Sequence, residues 1–303
     1  MHNQKFLFLI FVIIVGVLSL FLWQRSPSIS PLISPLSQLE ALARDNAGLP
    51  RFKSLDEAVN SSLKGVAGDY SLSIKNLKTG ESYALNEHKS YQTASLYKLW
   101  VMATVFDQIQ KGALTESQVL SQSADILNSK FNIDSVDAEI KGGQITYTVK
   151  DALELMITIS HNYAALLLSE KVRLSQVASF LESNGFNESK VGTDGSVPET
   201  TAADMALFLE KLYTGKLANT ENTDKMIELL NRQRLNNKIP KGLPAGVVVA
   251  HKTGEIGTFT HDAGIIFTPK GDYIEVVLTD SQQPSIAEDR IGALSRQVYD
   301  YFK

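Results

Sequence analysis

The chain has 303 residues, with 29 Lys and Arg against 33 Asp and Glu, a formal net charge of −4 and no cysteine. The missing cysteines exclude disulfides, thiolate metal sites and cysteine nucleophiles; the acidic balance, with no basic stripe interleaved with aromatics, excludes a nucleic-acid partner. At 44% hydrophobic and 20% charged residues, the composition is that of a folded protein able to bury one large domain or two lobes.

Phe6 to Trp23 carry no charge and are flanked by Lys5 and Arg25. Such a run is long enough to cross a bilayer. The small-residue cleavage candidate, Ser28-Ile29-Ser30, is followed directly by Pro31, a poor context for cleavage. An uncleaved membrane anchor over residues 1–24 is expected, with a cleaved signal as the alternative, and the domain it holds is expected outside the cytoplasm. Ser-Pro recurs at 26–27, 30–31 and 34–35, which favours an extended stalk within a linker over 25–50. A short helix fits 38–46.

Ser54-Leu55-Asp56-Glu57 is a capping box, predicting a helix to Leu63 before Gly65. Tyr70–Leu77 and Glu81–Asn86 alternate as strands around a turn at Lys78-Thr79-Gly80. From Ala94 to Phe106 the chain reads ASLYKLWVMATVF, a helix apolar nearly all round and hence central in the protein. Helical spacing then marks 149–160, 162–171, 174–183, 202–213 and 224–233. Strand character returns at 246–253, 258–267 and 273–279, and a last helix covers roughly 285–302. Strands at both ends and helices between them predict an α+β fold. Its expected form is an antiparallel sheet of about five strands, drawn from both chain ends and flanked by helices, with an inserted all-helical lobe over about 95–240 of a catalytic domain at 51–303. A ligand is expected in the cleft between sheet and lobe.

One charge interrupts the central apolar helix. Burial disfavours the ammonium form of Lys98 and makes it a base near neutral pH. Ser95 stands three residues earlier on the same helical face, where a neighbouring amine activates its hydroxyl as a nucleophile. Spacing alone is weak support, since Ser61 and Lys64 repeat it on a polar surface helix. Lys-Thr-Gly likewise occurs twice: at 78–80 in the hairpin turn, and at 252–254 ending the apolar strand GVVVAH. Between these motifs Ser160-His161-Asn162 sits at a junction of two helical segments. Neither His161 nor His251 has metal-ligand spacing, and each is read as a local hydrogen-bonder; no metal or cofactor is expected.

The order Ser95-x-x-Lys98, Ser160-x-Asn162, Lys252-Thr253-Gly254 resembles the class A β-lactamases and penicillin-binding proteins, and the resemblance runs from about Tyr70 to the C-terminus. It implies that Ser95 is acylated while Lys98 takes its proton, and that Ser160 relays a proton to the leaving nitrogen. Asn162 then holds Lys98 and a substrate amide, and Lys252 and Thr253 bind a substrate carboxylate. Gly254 leaves the strand open to substrate, and the backbone N–H of Glu255 joins that of Ser95 in an oxyanion hole. His161 takes the place where lactamases commonly carry Asp. The resemblance departs at NESKVGTDGSVPETTAADM, a shortened stretch without the Glu-x-x-x-Asn of class A deacylation. Of its glutamates, Glu188 has no assigned role and Glu199 is read as serving the start of the next helix. Ala263 stands where a carboxylate-binding arginine is expected, leaving Arg290 as a substitute.

The expected activity is a membrane-anchored serine hydrolase of the class A type that opens a β-lactam. The alternatives are a D-alanyl-D-alanine carboxypeptidase acting on a peptidoglycan stem peptide, and a sensor domain that stays acylated. A monomer is expected in each case.

Overall fold

A computed structural model describes residues 52–303; the expected anchor, the Ser-Pro stalk and the short helix at 38–46 lie outside the described residues. The first helix, α1 (Leu55–Leu63), starts at the capping box. Ser54 Oγ accepts from the Glu57 N–H at 3.2 Å, and the Glu57 carboxylate reaches back to the Lys53 N–H at 2.8 Å, satisfying donors that a helix start leaves open. Strands β1 (Asp69–Asn76) and β2 (Ser82–Leu85) form the hairpin, followed by a two-residue β3 (Tyr91–Gln92). Asn76 Oδ1 accepts from the Lys78 and Thr79 N–H groups, both at 3.0 Å, and Gly80 takes φ +78°. The first Lys-Thr-Gly is therefore a turn and nothing more.

A 3-10 turn (Ala94–Tyr97) leads into α2 (Lys98–Gln110), in which every residue from Lys98 to Phe106 is buried. Around it wrap β4 (Val119–Ser123), α3 (Ala124–Lys130), β5 (Gln144–Thr148), α4 (Val149–Thr158), α5 (Asn162–Val172) and α6 (Leu174–Ser183). The lobe continues with β6 (Glu199–Thr200), α7 (Ala202–Tyr213) and α8 (Thr220–Asn231). Helix α8 begins earlier than the apolar spacing predicts, because Asn219 Oδ1 caps it on the Asn222 N–H at 2.9 Å. After the short α9 (Ile239–Gly242), strands β7 (Val248–Ile256), β8 (Phe259–Phe267) and β9 (Tyr273–Asp280) lead to α10 (Pro284–Phe302).

The main sheet runs β2-β1-β9-β8-β7 with antiparallel neighbours throughout. Strand alternation divides the core into two layers. Ile265, Ile274, Val276 and Leu278 join Leu99, Trp100 and the lobe on one face. Leu72, Ile74 and Val277 meet Leu55 and Val59 of α1 and Ile291, Leu294 and Val298 of α10 on the other. β7 is an edge strand, so alternate backbone groups of its outer side are free to meet a ligand in the cleft.

Candidate active site

Ser95 lies in the 3-10 turn, half-buried at the seam between sheet and lobe. Ala94, just before it, takes φ +45°, a left-handed conformation that a non-glycine residue adopts at a cost. The Ser95 N–H stands among the first-turn donors that have no carbonyl within their own helix. The Ser95 hydroxyl makes no hydrogen bond among the described residues, so the direct Ser95–Lys98 bond expected from their spacing is not formed. The amine is drawn instead to the lobe.

Lys98 is fully buried. Its Nζ donates to the Ser160 carbonyl at 2.6 Å, to Asn162 Oδ1 at 2.7 Å and to Ser160 Oγ at 3.1 Å. Loss of water pushes its pKa down to about 7, against the opposing charge of Glu139. The two short contacts are to oxygens that only accept. In the neutral form they take both N–H donors and leave the lone pair for a hydroxyl.

Ser160 joins α4 to α5 at φ +58°, which turns both its carbonyl and its hydroxyl toward Lys98. Its Oγ also accepts from Lys252 Nζ at 3.0 Å. Once Lys98 carries the extra proton, both Oγ lone pairs are met by lysine N–H donors and the Ser160 proton is left to point outward, the direction a proton relay needs. Lys252 is fully buried and donates to the Thr253 carbonyl at 2.8 Å; burial and the nearby Lys98 charge hold its pKa well below the usual lysine range. His161 caps α5, its Nδ1 accepting from the Ala164 N–H at 3.1 Å, and His251 lies 2.9 Å from Asp262 Oδ1 and 3.0 Å from Asn236 Oδ1. Both are local hydrogen-bonders.

Glu139, on the loop between α3 and β5, is a site residue that spacing does not reveal. Its Oε1 accepts from Asn162 Nδ2 at 2.6 Å. It belongs to the polar stretch IDSVDAE, which reads as solvated loop, and only the fold brings it to Asn162.

Gly254 has a packing use besides the one expected. A Cβ there would lie 2.9 Å from the Thr93 carbonyl oxygen and 3.3 Å from Ala94 Cβ, so the glycine lets β7 press against the Ser95 turn. Arg290 is not at the site: its Nη1 donates to the Ser62 carbonyl at 3.2 Å, tying α10 to α1. Glu188 lies 2.9 Å from His88 Nδ1 and accepts from Thr201 Oγ1 at 2.7 Å, while Glu199 pairs with Gln92 in the short β3–β6 ladder. The helix cap beside it comes from Thr201, on the Asp204 N–H.

A cavity of about 580 Å³ opens between Tyr97, Leu166 and the loop Val191–Pro198, and Asp194 is the one carboxylate in its lining. Asp194 Oδ1 is engaged by the Ser196 N–H at 3.0 Å and hydroxyl at 2.6 Å. Among the described residues no group of three His, Cys, Asp or Glu is placed to hold a metal ion.

The sheet order, the inserted lobe and the serine–lysine turn between them define a serine hydrolase of the β-lactamase and transpeptidase fold. The solved structure of PBP-A matches 84% of this chain and 99% of its own, with TM-score 0.71 at 22% identity. A variant of PBP-A was captured as an acyl-enzyme with penicillin G, with TM-score 0.69. The chain belongs to the β-lactamase enzyme family, whose family model matches residues 54–302. A β-lactamase of Bacteroides uniformis is 24% identical over 271 residues, 81% of this chain and 90% of its own. The extended-spectrum β-lactamase PER-1 of Pseudomonas aeruginosa is 25% identical over 270 residues, 82% of this chain and 87% of its own.

Proposed function

We propose that the protein is acylated at Ser95 by β-lactams and hydrolyses the opened ring off the serine. Lys98, its pKa lowered by burial to about 7 so that the neutral amine is available, takes the Ser95 proton as Oγ attacks the ring carbonyl. The N–H groups of Ser95 and Glu255 receive the charge that builds on the carbonyl oxygen. As the C–N bond breaks, Ser160 gives its proton to the ring nitrogen and is resupplied from Lys98. Asn162 holds Lys98 and a substrate amide, and Lys252 and Thr253 attract the substrate carboxylate. The observation that carries this reading is a dehydrated amine, one turn from a serine, with its pKa brought to about 7.

A second reading, a carboxypeptidase acting on a D-Ala–D-Ala stem peptide, is favoured by the cavity under the shortened loop. The Ser196 hydroxyl and N–H hold the pKa of its one carboxylate, Asp194, below the usual range, which makes it a weak base for the water that frees a β-lactam adduct. The uncharged run Phe6–Trp23 and the Ser-Pro stretch after it support a catalytic domain tethered outside the cytoplasm.

Intact mass spectrometry of the soluble domain with benzylpenicillin tests the proposal. The expected result is a mass gain that decays over minutes and is absent in Ser95→Ala. A retained adduct with D-Ala released from a stem-peptide mimic selects the second reading. A retained adduct without such release identifies a sensor, and adduct formation on Ser95→Ala removes Ser95 as the nucleophile.

A further inference from the structure

Helix α4 ends two residues before Ser160, and its last carbonyls have no partners within the helix. The left-handed backbone at Ser160 turns the chain away before a further turn can supply them. Those carbonyls are met from far along the chain, by the segment that follows α8. Gln233, 5% exposed, donates from Nε2 to the Ile157 carbonyl at 2.7 Å, and the Arg234 N–H donates to the Thr158 carbonyl at 2.9 Å. Gln233 Oε1 accepts from the N–H groups of Arg234 at 2.9 Å and Leu235 at 3.1 Å. A buried amide whose oxygen accepts twice and whose nitrogen donates is fixed in one orientation.

The same segment then reaches the sheet. Asn236 Oδ1 lies 3.0 Å from His251 Nε2, and the Ile239 N–H donates to Asp262 Oδ2 at 3.0 Å. Asp262 Oδ1 in turn lies 2.9 Å from His251 Nδ1. His251 directly precedes Lys252, whose Nζ donates to Ser160 Oγ at 3.0 Å. Residues 233–239 therefore complete a ring of contacts that runs from the end of α4 to β7 and returns through Lys252 to Ser160. We infer that Gln233 is a positioning residue for the Ser160 hydroxyl, and that residues 233–239 are the strut that sets this hydroxyl against Lys252. The inference rests on the reading of Ser160 as the group that hands a proton to the leaving nitrogen. Gln233 acts through the end of α4, with no hydrogen bond of its own to Ser95, Lys98 or Ser160 among the described residues. Its loss strands the Ile157 carbonyl and releases the left-handed turn, so that Ser160 Oγ no longer faces the nitrogen it serves.

A double-mutant cycle on acylation by benzylpenicillin, followed by intact mass, tests this. Gln233→Met keeps the length of the side chain and removes its hydrogen bonds. With Ser160 present it should slow acylation by about 30-fold. In a Ser160→Ala background, where no hydroxyl is left to aim, it should cost no more than about threefold. Binding of benzylpenicillin to Ser95→Ala, read by NMR titration, should change by less than about twofold on adding Gln233→Met. Gln233→Glu keeps the acceptor for Arg234 and Leu235 and removes the donor to Ile157; it carries the same expectation and replaces Gln233→Met if that variant does not fold. Equal losses in the two backgrounds overturn the inference, because a general structural lesion adds to the loss of Ser160. A native acylation rate in the folded variant, or a loss of binding as large as the loss of rate, overturns it as well. No adduct on the native protein removes the hydrolase reading and this inference with it, whereas a native adduct with additive losses removes this inference alone.

Discussion

At Lys98 the chemistry comes from dehydration. Loss of water drives the proton off, while the carboxylate of Glu139, reaching the site through Asn162, pulls the other way. Because the neutral amine is the reactive form, acylation should rise with pH through about 7 and level off above it. Glu139→Gln removes the charge that favours the ammonium, so the midpoint should move to lower pH. Second-order acylation rates measured from roughly pH 5 to 9 check this; a midpoint that stays in place or rises removes Glu139 from the electrostatics of the site. Lys98 is legible in the sequence because a single charge interrupts an apolar helix. Glu139 is not, because its partner Asn162 is remote along the chain and its own segment carries no period.

The nucleophile turn and β7 are built to touch. Gly254 allows it, and Ala94 already spends its conformational freedom in the left-handed region. Gly254→Ala forces one of two backbones to move, and displacement of a reacting oxygen is costly even when small. Acylation should fall by about 100-fold, whereas a melting temperature within a few degrees of the native value would show the fold intact. Full acylation activity in this variant would show that the turn and the strand are not mechanically coupled. The long elements of this region are legible because each buries a continuous stripe: the all-apolar α2, the period of α4 to α7, the runs of β7 to β9. The ribbon of β4 and β5 escapes notice because its Ser, Gln and Thr content hides one buried apolar residue per strand, Leu120 and Ile145. The β3–β6 ladder is set only by the return of the chain after α6, and two residues carry no period to read.

Across the whole molecule the sheet is joined to the C-terminal helix by a buried acid. Glu275 of β9 faces α10, where Ser295 Oγ donates to its Oε2 at 3.0 Å and Oε1 has no partner. Burial raises its pKa from 4.5 to about 8, with a smaller push from Asp262. The folded state thus holds a proton that the unfolded chain releases. The resulting stability is complete below pH 4.5, declines as pH rises, and is lost above about 8. The full difference is on the order of 5 kcal/mol. Glu275→Gln has no such proton to lose, so its stability relative to the native protein should increase between mildly acid and mildly alkaline buffer. Denaturant melts at the two pH values measure it, and parallel pH dependences would show that Glu275 ionises alike in both states.

The sheet also dictates a schedule. β1 is flanked by β2, made at once, and by β9, whose Asp280 meets Asp69 of β1 near the far end of the chain. Until β9 and β7 have been made, Leu72 and Ile74 have one neighbour strand and no second one, and Ser95 has no β7 to lean on. The Ser95 turn therefore meets its strand only after the chain has been made through Ile256, and closure across so long a loop is slow.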